Sequence, residues 1–476
     1  MNISQNEELN HAKIGNHICW RENNSYICHR KPRQKELQRQ RSNAPLPMAT
    51  KRRKMKQTNY LHRISDNVLQ RELSAAGAVL IEGAKWCGKT STAHRAARSV
   101  LYMQDPDKAG TYRNIADTKP SLLLKGATPR LIDEWQMAPV LWDAVRFEVD
   151  RRDEIGQFLL TGSAVPTDGA TAHTGTGRIS RMLMRPMSLY ESLESNGSVS
   201  LKELFDGHTE IESMSELTIE NIVQAICRGG WPAAVKTGGP AALRMATNYV
   251  EGVINMDVQR VDGIEKNPER VRMLLRSLAR NVATMATAQT IKADVEANDM
   301  TISEKTLAGY LNALRRIFVV EDMPAWQPSL RSKTAIRTAQ KRHFVDPSIA
   351  TAVMRTSPAE LLEDFETFGF LFESLCARDI RIYAQANDGE VFHYRDKTGL
   401  EADMVIHLHD GRWAAVEVKL GNRQIEEAAG HLLALAQRVN TEKMGEPSFL
   451  MVLTGGEFAY RRDDGVLVVP IGCLKN

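Results

Sequence analysis

Apolar positions change their spacing several times along this chain, and each change marks an element. Ala78 to Glu82 is apolar up to its last residue, as in a strand covered on both faces. Thr90 to Ser99 carries helical spacing, and the runs ending at Leu131-Ile132 and spanning Phe158 to Leu160 predict two more buried strands. From Glu220 to Leu278 the pattern is mostly helical, broken at "RGGWPAAV". Thr301 followed by Glu304 has the form of a capping box, and Leu307, Leu311, Leu314 and Ile317 then share one helical face. With the Asn298-Asp299 turn before it and a strand over Phe318 to Glu321 after it, this outlines a helix-turn-helix. The segment "FGFLFESLCARDI" reads as an amphipathic helix.

Further on the period drops to two. Ala402, Met404, Ile406 and Leu408 share one strand face, and Ala414, Val416, Val418 and Leu420 share another, around an Asp410-Gly411 turn. A strict two-residue loop would set Asp403 opposite Val418 and mix polar with apolar faces. Aligning the apolar faces requires a shift by one residue, as in a three-residue loop with a bulge, and that register gathers Asp403, Glu417 and Lys419 on one face.

Composition narrows the class. The 476 residues exceed one ordinary domain, and 42% hydrophobic with 25% charged residues is a globular balance. No apolar run approaches the roughly 18 residues of a membrane span. Six scattered cysteines form no disulfide framework, which predicts a reducing cytoplasm. The net charge of +4 is uneven. Residues 1–60 hold 13 Lys/Arg against four Asp/Glu, a balance of +9, so the remainder carries −5. The first stretch, polar, basic and without apolar period, predicts a disordered tail.

Three passages carry chemistry. Gly83-Ala84-Lys85-Trp86-Cys87-Gly88-Lys89-Thr90 fits G-x-x-x-x-G-K-[ST] between a predicted strand and a predicted helix that continues through Ser91. Glycines there let backbone N–H groups approach phosphate oxygens, and the helix start adds positive partial charge. Lys89 would bridge the terminal phosphates of ATP, and the Thr90 hydroxyl would ligate Mg²⁺. In "PRLIDEWQ", Asp133 would complete the Mg²⁺ shell and Glu134 would orient the attacking water. Thr161 and Ser163, at the tip of "FLLTGSA", face the same work or a plain turn. Arg178, Arg181 and Arg185 are candidates for stabilising transition-state charge, with Arg178 nominated; action across a subunit interface would require a homo-oligomer.

The run "EGAKWCGKTSTA … RLIDEWQMAPVLWDAVR … FLLTGSA … GRISRMLMRPMSLYES" resembles the prokaryotic P-loop ATPases of the AAA+ superfamily that carry a C-terminal domain of unknown function. The resemblance covers Leu61 to the C-terminus. It implies an α/β P-loop NTPase (AAA+-like) core, a helical and winged-helix-like middle, and a restriction-endonuclease-like α/β C-terminal domain. The expected division is a basic disordered tail over 1–58, the ATPase domain over 59–205, a helical segment over 206–280, a winged-helix-like domain over 281–350 and the nuclease-like domain over 351–476.

Asp403 with Glu417-Val418-Lys419 is similar to the PD-(D/E)XK nuclease core, and Glu373 matches the acid often supplied by its first helix. Convergent carboxylates bind divalent metal, and a nearby lysine helps activate water. Lys305, Arg315 and Arg316, with Arg331, Lys333, Arg337, Lys341 and Arg342, are the candidates for meeting DNA phosphates. The expectation is a Mg²⁺-dependent ATPase binding ATP and ADP that couples nucleotide state to DNA. The alternatives are a non-catalytic nucleotide-gated signalling protein and an ATP-regulated, metal-dependent DNA nuclease.

Overall fold

The computed structural model describes residues 60–163, 174–261, 266–297, 301–328 and 339–476, with the backbone of Lys13–Ile14, His17–Glu22 and Ser25–Arg30. The chain forms two units, Met1–Asn59 and Tyr60–Asn476. In the first, the three short segments pair antiparallel in chain order, with Cys19 opposite Cys28. The sequence pattern predicts no regular structure here. The pairing joins two hexamers rich in strand-forming residues, His17–Glu22 and Ser25–Arg30. The rest of the predicted tail lies outside the described residues.

In the second unit, helix α1 (Ile64–Leu73) precedes a five-stranded sheet. Its strands are β1 (Ala78–Glu82), β2 (Ser99–Tyr102), β3 (Arg130–Asp133), β4 (Phe158–Gly162) and β5 (Ile179–Leu183). They run parallel in the order β2-β3-β4-β1-β5. Helix α2 (Lys89–Ala96) starts at the carboxyl end of β1. Burial on both faces explains why these strands read as apolar runs without alternation.

The middle is helical, as its pattern predicts. It includes Ile219–Arg228, α3 (Gly239–Gly252), a π-turn at Val253–Asp257, α4 (Pro268–Arg280), α5 (Ala288–Glu296) and α6 (Glu304–Arg316). The cap of α6 is Ser303, whose side chain accepts the Thr306 N–H, in place of the box anticipated from Thr301 and Glu304. Leu307, Leu311, Leu314 and Ile317 are buried on its inner face. In place of a strand after α6 there are isolated bridges, Val320 to Phe344 and Met323 to Lys341. Residues 298–300, with the predicted turn, and the basic residues Arg331, Lys333 and Arg337 lie outside the described residues.

After α7 (Ser348–Met354) comes α8 (Phe365–Ala386), capped by Asp364, which accepts from the Thr367 N–H. A seven-stranded mixed sheet follows from β6 (Glu212–Met214), β7 (Gly389–Arg395), β8 (Glu401–Leu408), β9 (Trp413–Lys419), β10 (Leu450–Thr454), β11 (Phe458–Arg461) and β12 (Leu467–Pro470). Its order is β6-β11-β12-β10-β9-β8-β7. One face joins Met404, Ile406 and Val416 to the core of α8; the other packs Val405 and Ala415 against the helix Ile425–Arg438. β9 is therefore apolar on both faces along most of its length, more fully than its alternation implies.

Candidate nucleotide site and a carboxylate cluster

The phosphate loop is fixed by three special backbone positions. Gly83 has φ +143°, and a side chain there would meet the Met184 carbonyl at 2.1 Å. Gly88, at φ +108°, turns the chain into α2, and Trp86 takes a left-handed φ of +67° with 59% of its surface exposed. The buried Lys89 ammonium donates to the carbonyls of Gly83 and Ala84, both at 2.8 Å. Those bonds fold it across the mouth of its own loop, and Ser91 stands exposed on the first turn.

Because β4 lies between β1 and β3, Thr161 reaches the carboxylate at the end of β3. The Asp133 Oδ1 accepts from Thr90 at 2.7 Å and from Thr161 at 2.6 Å. The other oxygen, Oδ2, is buried without a partner among the described residues. A hydroxyl and a carboxylate with a free buried oxygen are hard oxygen donors, the set that suits Mg²⁺. Thr90 and Asp133 are the residues that would hold it. Glu134, at φ +57°, accepts from Gln136 and from Ser163 (3.4 Å), so its carboxylate is steered by two neighbours.

Arg178 sits elsewhere. It precedes β5, its carbonyl accepts the Ala78 N–H, and its guanidinium pairs with Asp150 at 2.8 Å. That is the amino edge of the sheet, a five-residue strand away from the loop, about 17 Å at 3.3 Å per residue. Arg178 therefore does not meet the phosphate loop of its own chain. Arg181 pairs with Glu82 at 2.8 Å, and Arg185 makes a two-nitrogen contact with Glu321.

Two contacts have no sequence signal. Arg63 is buried, and it binds Glu191 at 3.0 Å, the Cys87 carbonyl of the loop at 2.8 Å and the Arg185 carbonyl at 2.8 Å. The tip of the loop meets the helical middle, Lys85 pairing with Asp257 of the π-turn and Trp86 lying 6.1 Å from the Tyr249 ring of α3. Both pairings span more than a hundred residues, beyond any local pattern.

In the C-terminal sheet, Met404 faces Val416 and Ile406 faces Ala414, the shifted register that the apolar faces require. Leu408 bonds to the Arg412 carbonyl around a three-residue loop with Gly411 at φ +91°. Asp403, Glu417 and Lys419 are thereby brought together, with Glu373 from α8. Two lysines face these acids. Lys341, 9% exposed, donates to Glu373 at 2.6 Å and to Asp403 at 3.0 Å, and Lys419 donates to Glu417 at 2.9 Å. Among the described residues no three acidic, His or Cys side chains converge to hold a metal ion.

Burial would lower the Lys341 ammonium, but the charges of Asp403 and Glu373 outweigh it and raise its pKa. Burial and the Asp403 charge push Glu373 up to about 8 and Glu417 up to about 7. Asp403, held by Lys341 and the Val418 N–H, is lowered despite its burial. Of the expected DNA contacts, Arg315 and Arg342 both bind the Asp322 carboxylate (2.6 and 2.8 Å). Lys305 is exposed.

Residues 75–193 match a family described as an AAA domain. Residues 219–360 and 368–474 match two domains of unknown function, DUF8612 and DUF4143. The chain is 23% identical over 361 residues to uncharacterized proteins of Mycobacterium tuberculosis and Mycobacterium bovis, covering 74% of this chain and 72% of each relative. Among solved structures, the Walker-type ATPase of Pyrococcus abyssi is similar at 16% identity and a TM-score of 0.38, over 62% of this chain and 96% of that one. PCH-2 of C. elegans matches at 13% identity and a TM-score of 0.18, over 53% and 66%. No helix among the described residues is long and apolar enough to cross a membrane. The AAA match falls on the parallel sheet and its loop, so the chain carries a P-loop NTPase domain of the AAA type, joined to a C-terminal domain of unknown function.

Proposed function

We propose that the chain is a Mg²⁺-dependent ATP hydrolase. The observation that carries this reading is the paired Thr90 hydroxyl and Asp133 carboxylate at the mouth of the loop, with the second Asp133 oxygen buried and unpartnered. Backbone N–H groups from Gly83 through Ser91 would cradle the phosphates of ATP, and Lys89 would release its two carbonyls to meet the terminal phosphate. Glu134, aligned by Gln136 and Ser163, would orient the water. Mg²⁺ bound at Thr90 and Asp133 would supply neutralising charge for the phosphate oxygens. In this reading Arg178 contributes to hydrolysis only from a second copy of the chain.

The test is phosphate release by the full chain with ATP, with Mg²⁺ or with a chelator, with and without duplex DNA. Turnover abolished by the chelator and by Lys89→Ala supports the reading. Absence of saturable ATP binding at millimolar ligand overturns it.

A second reading is a nucleotide-gated binding or signalling protein. The pairings Lys85–Asp257 and Arg185–Glu321 favour it, because they tie the ATPase domain to the helical segment and to the chain after α6. Movement of the loop on nucleotide binding would then reach the winged-helix-like and nuclease-like parts proposed for 281–350 and 351–476. Nicking of the duplex in the same assay, lost in Lys419→Ala, would instead assign Glu373, Asp403, Glu417 and Lys419 to DNA cleavage.

A further inference from the structure

A second charged cavity lies in the helical middle. Helices α3 and α4 and the chain leaving α7 border an open hollow of about 630 Å³, within the range of small-ligand sites. Four arginines line it, Arg244, Arg272, Arg276 and Arg355, all but Arg272 exposed, against one acidic residue, Glu251. Arg272 binds Glu251 with both nitrogens, at 2.8 and 3.0 Å. Arg244 and Arg276 form no side-chain hydrogen bond or ion pair among the described residues, and Arg355 has a longer-range attraction to the same Glu251.

Arg244 and Arg276 thus share one concave wall without a hydrogen-bonded or ion-paired partner among the described residues, and Arg355 beside them has only a longer-range attraction. Like charges around a cavity repel, and a guanidinium forms paired hydrogen bonds that match phosphate geometry. A single carboxylate already engaged by Arg272 leaves an excess of three positive charges. None of the lining residues belongs to the phosphate loop.

We propose that this cavity binds a ligand bearing several phosphate groups, at a site separate from the nucleotide loop. Two sources share that chemistry, a small polyphosphate and a single-stranded nucleic-acid backbone.

The experiment uses the full chain carrying Lys89→Ala, so that the phosphate loop does not report. Inorganic tripolyphosphate is titrated by calorimetry, and a labelled ten-nucleotide oligothymidylate by fluorescence anisotropy over a salt series. Adding Arg244→Gln, Arg276→Gln and Arg355→Gln together is expected to weaken the bound probe at least about tenfold. For the oligonucleotide it should also reduce the salt slope by about 2, at roughly 0.7 per phosphate contact. The triple lysine variant keeps the charge and the slope, which separates charge loss from misfolding. One-to-one tripolyphosphate binding identifies a small ligand; oligonucleotide binding that tripolyphosphate does not displace identifies a strand. Equal binding by the glutamine triple variant, or no saturation by either probe at millimolar concentration, overturns the proposal. ATP affinity of the glutamine variant with Lys89 restored reports separately on the nucleotide loop.

Discussion

Two clusters of charge lie at strand ends in this chain, and they are finished in different ways. At the nucleotide loop one buried oxygen of Asp133 has no partner, and Lys89 rests on two carbonyls that it can exchange for a stronger anion. In the C-terminal sheet the acids come with their own cations, Lys341 on Glu373 and Asp403, and Lys419 on Glu417. The first arrangement leaves room for a ligand to complete it. The second is complete without one. Convergent carboxylates alone therefore do not specify a metal site; what decides is whether the fold already delivers a counter-charge.

The largest effect should come from removing that counter-charge. Lys341→Met leaves Glu373 and Asp403 facing each other in a buried site, and breaking a buried pair this way costs about 3–5 kcal/mol. Urea denaturation measures it. The sharper test adds millimolar Mg²⁺ or Mn²⁺, which should raise the melting temperature of Lys341→Met by more than that of the unsubstituted chain, since Thr90 and Asp133 are common to both. Equal metal responses would mean that Lys341 does not stand in for a cation. Next in size is Lys89→Ala, expected to lower ATP turnover about 100- to 1000-fold, the scale of losing one charge-stabilising donor. A steady-state phosphate assay checks it, and near-normal turnover would remove Lys89 from the site.

The two clusters also differ in how much the sequence displays. Gly83 to Ser91 is legible because its chemistry is local: every residue of the proposed cradle falls in one run of nine. The Asp403 and Glu417 face was legible too, since a period-two pattern admits one register that keeps apolar with apolar, and the backbone adopts it. Lys341 was not. It lies 32 residues from Glu373 and 62 from Asp403, in a basic stretch that looks like a surface charge run. The position of Arg178 was not legible for a related reason, because its place in the chain says nothing about which end of the sheet it occupies. The order β2-β3-β4-β1-β5, which carries Thr161 to Asp133, is likewise a matter of long-range pairing.

Between these effects and the smallest lies a pH dependence specific to the C-terminal cluster. Burial and the charge of Asp403 raise Glu373 to about 8 and Glu417 to about 7, so the folded chain binds protons that the unfolded chain has already released. The contribution of these two groups to stability should then fall as pH rises from about 5 to about 8, against a rise below about 6.5 from His343 and His393, which burial keeps neutral in the folded chain. The lowered pKa of Asp403 acts below this range, and its contribution is lost only as pH drops under the ordinary carboxylate value. Glu373→Gln should flatten the slope of the urea midpoint between pH 5 and 8. An unchanged slope would place the titration elsewhere.

The smallest effect concerns the nucleotide loop before ligand arrives. Lys85 is partly exposed and pairs with Asp257, and such a pair is worth less than about 1 kcal/mol to stability. Its consequence lies in direction: it draws a loop cation toward the π-turn and away from the phosphates. Asp257→Asn releases Lys85 and should tighten ATP binding by up to about fivefold, the equivalent of about 1 kcal/mol. Lys85→Ala should give no such gain, and Asp257→Asn in the Lys85→Ala background should change nothing further. Calorimetric titration of the four chains closes the cycle. A gain that persisted without Lys85 would mean that Asp257 acts on the site through its own field, and the pair would then be a passive contact rather than a hold on the loop.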